Sequence, residues 1–91
     1  MSPKVEAVPE DIERFARELK QFNSQLMENM RRLQAQFNRL GETWRDQEHQ
    51  KFAREFEQAM RALYQFQRAS EQQIPLLLRK AQILREFLNQ R

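Results

Sequence analysis

Residues 33–56, LQAQFNRLGETWRDQEHQKFAREF, decide the fold, because they set the only glycine of the chain between two apolar stripes that mirror one another. Upstream of Gly41, apolar residues recur at Ile12, Phe15, Leu19, Phe22, Leu26, Met30, Leu33, Phe37 and Leu40, always three or four apart. That is the period of one helix face, not the alternation of a strand. Pro9, followed by Glu10, Asp11 and Glu13, marks the start: proline suits the first helical turn, and acids favour the positive end of the helix dipole. A helix over 9–40 is a rod of about 48 Å. Gly41 falls where the rod should end, and glycine takes most cheaply the left-handed conformation that closes a helix. Thr43 and Asp46 are each able to cap the helix that follows.

The second stripe runs Phe52, Phe56, Ala59, Leu63, Phe66, Ile74, Leu77, Ala81, Leu84 and Leu88, and is weakened at Ser70. Reflected about the turn, Phe37 falls opposite Phe52, Leu33 opposite Phe56, Met30 opposite Ala59 and Leu26 opposite Leu63. The same reflection sets Leu19 against Ser70, Phe15 against Ile74 and Ile12 against Leu77. Two stripes that match along their length predict an antiparallel helical hairpin. Pro75 interrupts the second helix, yet the apolar period resumes beyond it, so a kink near residues 71–75 is expected rather than a break. The reading is an all-α, two-helix antiparallel hairpin in one domain, 1–91, associating into a helical bundle. It comprises an N-terminal loop 1–8, helix 9–40, turn 41–46 and helix 47–90.

Composition points to association. A chain of 91 residues buries only roughly 60–65% of the surface that it exposes when unfolded. It has no Cys for disulfides or thiolate metal sites, and a single His cannot build a metal centre alone, so oligomerisation is the remaining way to thicken the core. No leader of the basic-then-apolar kind opens the chain and no apolar run reaches ~20 residues, so neither signal peptide nor membrane span is expected. The formal net charge of +3 is divided unevenly: residues 1–30 carry −2, residues 31–60 carry +1 and residues 61–91 carry +4. Folding back lays the acidic start beside the basic end, which argues against a nucleic-acid surface.

Catalysis lacks its parts. There is no Gly-rich loop, no Ser–His–Asp set and no metal-ligand spacing, so no enzyme, cofactor or small-molecule substrate is expected. His49 reads as a surface residue, because general base catalysis needs a pocket and a second positioned group. Glu10–Arg14, Glu13–Arg17, Glu28–Arg32 and Glu57–Arg61 stand four apart, acid first, the order that supports a solvated helix face.

The turn adds a resemblance. Leu40, then Trp44, a turn-compatible position at 46 and an aromatic eight residues after the tryptophan (Phe52), on a hairpin of this length, resemble the WXG family. These are the early-secreted-antigen-like helical hairpins handled by type VII secretion systems, and the likeness covers nearly the whole chain. The turn residues carrying it are Leu40, Gly41, Trp44, Asp46 and Phe52. The family's glycine is replaced here, giving Trp44-Arg45-Asp46. Its tail signal, Tyr-x-x-x-Asp/Glu, has no counterpart, since Tyr64 is mid-helix with Arg68 four residues on and the sequence stops at Arg91. The resemblance implies a bacterial substrate, chaperone or adaptor of a type VII-like system, served by a secretion ATPase. It implies a cytoplasmic protein exported, if at all, without a cleavable signal peptide, and with a partner that carries the signal. The alternatives are a cytosolic coiled-coil adaptor unrelated to secretion and a basic nucleic-acid-associated bundle.

Trp44 at the turn reads both as the lid on the end of the core and as an anchor for a partner. Beyond the first stripe, α-helical residues Met60, Tyr64, Leu76, Leu78, Ile83 and Phe87 form a second apolar set on the later helix. They are the candidate oligomer interface, with the chain itself (a homodimer or a tetramer) or a related hairpin as partner.

Overall fold

The computed structural model describes residues 7–90. Two helices, α1 (Pro9–Leu40) and α2 (Gln47–Asn89), pack antiparallel and leave six residues for the turn. The hairpin is long and thin, 68 × 27 × 15 Å. Residues 1–6 of the expected loop lie outside the described residues. Pro9 occupies the first turn of α1 with Glu10 and Asp11 beside it, and Arg39 stands in the last turn, so both ends complement the helix dipole. α2 passes through Pro75 as one helix. Pro75 and Glu71, whose carbonyl loses its N–H partner there, are both exposed, and water can serve that carbonyl.

Gly41 closes α1 without a left-handed residue. Its φ is −66° and ψ −11°, and the backbone continues in tight right-handed turns, Thr43 N–H donating to Leu40 O at 3.1 Å and Trp44 N–H to the same oxygen at 3.0 Å. The left-handed cap expected from the sequence is therefore not used. Asp46 settles the other end: its Oδ1 accepts the His49 N–H at 3.0 Å and caps α2, while Thr43 Oγ1 donates back to Leu40 O at 3.4 Å.

The helices meet on a narrower line than the large apolar residues suggest. Every seventh residue of α1, namely Pro9, Ala16, Asn23 and Met30, is buried, with Phe37 half-buried; on α2 Met60, Ser70 and Ala81 are buried. Ser70 bonds Asn23 (Nδ2 to Oγ, 2.7 Å), one turn away from the Leu19 that reflection of the stripes sets opposite it. Phe37 stacks on Phe56 at 4.5 Å and reaches the expected Phe52 at 5.8 Å. The stripe of large residues is thus rolled off the seam. Small side chains let the backbones approach, and Asn23 and Ser70 hydrogen-bond one another across the seam.

Candidate functional site

Rolling the large residues off the seam places them together on one side. Phe22 and Phe66 meet edge to face at 6.0 Å across the two helices. Phe15, Leu19, Phe66, Ala69 and Leu77 line one groove on this side, and Leu33, Phe37, Leu40, Phe52 and Phe56 line another, of about 560 Å³, beside the tip. Leu76, Ile83 and Phe87 continue the face toward the open end: Phe87 lies three seven-residue steps from Phe66, and Leu76 and Ile83 flank that row. Phe15, Phe22 and Phe87 are 57%, 51% and 63% exposed. Contiguous apolar surface on this scale marks an interaction site more often than chance.

The candidate interface divides on this geometry. Leu76, Ile83 and Phe87 belong to the phenylalanine face. Met60 does not, since it is buried in the seam. Tyr64 lines a separate groove with Met27, Met30, Met60 and Gln34. Leu78 lies two seven-residue steps from Tyr64 and one from Arg85, hence on the side opposite the phenylalanines. Sequence periodicity grouped these six because all are apolar and off the first stripe; only the packing separates the two sides.

That opposite side is held by charge. Arg85 bridges Glu10 at 3.0 Å and Glu13 at 2.7 Å, joining residues more than seventy positions apart. Glu10 and Glu13 are drawn across the seam rather than to Arg14 and Arg17 on their own helix. Arg14 pairs with Asp11 and Arg31 with Glu28, leaving Glu57–Arg61 at 3.4 Å as the expected pair that forms. The two carboxylates push the Arg85 guanidinium above its ordinary value, Glu13 more than Glu10. The Glu10 carboxyl is held below the usual carboxylate range, first by a backbone N–H at the helix start and then by Arg85.

The tip is an aromatic box. The His49 ring stacks on Phe37 at 5.3 Å and meets Trp44 edge-on at 5.1 Å; Trp44 reaches Phe52 at 6.2 Å. His49 is not the surface residue expected from sequence. It is half-buried, and its Nε2 is buried without a hydrogen-bond partner. The cause is local: the Asp46 cap takes the His49 N–H, which turns the first residues of α2 back over Phe37. A Cβ on Gly41 would lie 3.6 Å from His49 Nε2, an ordinary contact against the ring. Trp44 is half-buried and closes the end of the core while keeping one side open. The five turn residues sit at this end, but Leu40 and Phe52 line the apolar groove, whereas Gly41, Trp44 and Asp46 shape the box and its cap.

Among the described residues no group of three His, Cys, Asp or Glu side chains is placed to hold a metal ion, and no helix is long and apolar enough to cross a membrane. Neither the curated proteins nor the solved structures include a match to this chain. A family model described as WXG100, proteins of 100 residues with WXG, matches residues 4–86. Trp44-Arg45-Asp46 occupies the turn of the hairpin, with Asp46 capping α2. The chain belongs to the WXG100 family, helical proteins associated with type VII secretion.

Proposed function

We propose that this chain is a non-enzymatic docking hairpin of a type VII-like secretion system, acting as substrate, chaperone or adaptor, and that it works as a pair. The phenylalanine face of one copy packs on that of a second copy to give a four-helix bundle. One observation carries this reading: Phe15, Phe22, Phe66, Leu76, Ile83 and Phe87 share one side of the hairpin and are all exposed. Fully burying such a side chain contributes roughly 1.5–3 kcal/mol, so completing six half-covered ones yields on the order of several kcal/mol. That is the scale needed to offset the cost of association. Twofold pairing is the commonest closed arrangement, and a related hairpin with a similar face is an equivalent partner.

The secretory role is tested by fractionating cultures with and without the membrane-anchored secretion ATPase of the system. The chain, expressed with its neighbouring genes, is expected in the medium only when the ATPase is present. Equal amounts in the medium of both cultures would overturn the role.

A further inference from the structure

The centre of the seam holds a polar pair where an apolar layer would pack. Asn23 and Ser70 are 1% and 5% exposed, Asn23 Nδ2 donates to Ser70 Oγ at 2.7 Å, and Ser70 Oγ donates on to the Gln67 carbonyl at 3.0 Å. Asn23 Oδ1 is left buried with no partner, so the pair comes at a cost in stability. On α1 the buried residues repeat in sevens, and on α2 Phe56, Leu63, Ser70, Leu77 and Leu84 form a seven-residue row through Ser70. Counted from the Asn23–Ser70 bond and the Phe37–Phe56 stack, Ala16 falls level with Leu77 and Met30 with Leu63. A repeat of this kind does not fix its own alignment. Sliding one helix by seven residues still brings apolar residues together at other levels, Met30 with Phe56 one way, or Phe37 with Leu63 and Ala16 with Leu84 the other. The large apolar residues alone favour yet another alignment, with Ser70 against Leu19. What a slide cannot restore is the polar pair: Asn23 would then be buried against Leu63 or Leu77, and Ser70 against Met30 or Ala16.

We propose that the Asn23–Ser70 pair is a register lock, which gives up stability to hold the hairpin in one axial alignment. A buried donor facing a leucine loses its hydrogen bond without regaining water, so every slid alignment is penalised at the layers that Asn23 and Ser70 enter. The alignment matters along the whole molecule. It sets Phe22 against Phe66 on the phenylalanine face, Phe37 and Phe56 under the tip, and Arg85 within reach of Glu10 and Glu13.

The chain has no cysteine, so a pair introduced as Gln34→Cys and Tyr64→Cys, which line one groove, reports the alignment cleanly. A short bis-maleimide at high dilution gives a product of single-chain mass, which reads packing within one hairpin whether or not two hairpins dock. With Asn23 and Ser70 intact, one linked species in high yield is expected. With Asn23→Leu and Ser70→Leu added, the helical circular dichroism should persist while the yield of that species falls several-fold. The exchange Asn23→Ser with Ser70→Asn, which rebuilds the hydrogen bond, should restore it. Undiminished linking in the leucine variant would overturn the lock. So would loss of its helix, because the lock requires that the apolar layer be at least as stable, and so would an exchanged variant that links no better than the leucine one.

Discussion

The inner line of the seam and the outer phenylalanine face are neighbours in sequence and opposites in composition. Ala16 is buried beside exposed Phe15, and Asn23 is buried beside exposed Phe22. On α2, Ser70 and Ala81 are inside while Phe66 and Phe87 are outside. Burial energy alone would sort these residues the other way, since a phenylalanine gains far more than an alanine on leaving water. The difference teaches that the size of an apolar side chain does not decide which residues this hairpin turns inward. Small inner residues let the two helices approach closely, and the large apolar surface is left as one continuous face that a second hairpin can complete.

Within α2 the contrast sets Ala81, 0% exposed, against Ile83, 53% exposed. Ala81→Leu forces a larger side chain into a filled seam and should cost about 1–3 kcal/mol. Ile83→Ala should leave the separated hairpin within about 0.5 kcal/mol of the parent. Equal losses in urea unfolding would erase the distinction between line and face. At the tip, Asp46→Ala removes the cap of α2 and should cost about 1 kcal/mol. Gly41→Ala should have the opposite sign and stabilise by about 0.4–1 kcal/mol, because the residue is right-handed and a Cβ meets only ordinary contacts. A loss of stability on Gly41→Ala would mean that the His49 ring leaves no room for it.

The smallest effect is expected on the charged side. The Glu10 carboxyl has a folded value below its unfolded one, so its contribution is complete at neutral pH. It is lost as pH falls below the ordinary carboxylate range and through the depressed value. Protection of the amides of residues 11–13 from hydrogen exchange should therefore fall in acid ahead of protection around the tip. Uniform loosening along both helices would show that the Arg85 bridge does not hold the open end.

The all-α hairpin was legible because it rests on patterns that survive without coordinates: a three-four apolar period, one glycine and an acidic helix start. Other features were not, for physical reasons. The sequence does not single out Asn23, since nothing in its neighbours reveals that Ser70, 47 positions away, will take its hydrogen bond. Glu10 and Glu13 have ready partners four residues on, and only the fold brings Arg85 closer. His49 is half-buried by the Asp46 cap and the ring of Phe37, a consequence of turn geometry that spacing does not encode. The face that a helix turns inward depends on both helices at once. The largest apolar stripe is consequently a poor guide to the seam when small residues such as Ala16 and Ala81 form the contact.

The central claim, that the phenylalanine face is a docking surface for a second hairpin, is tested most directly by the solution mass of the purified chain. Light scattering at tens of micromolar should give twice the chain mass of 11.2 kDa or a higher even multiple. Phe22→Glu with Phe66→Glu should reduce it to the single-chain mass while circular dichroism stays helical, and Gln34→Glu on the opposite side should leave the parent mass unchanged. A single-chain mass for the parent protein would contradict the account.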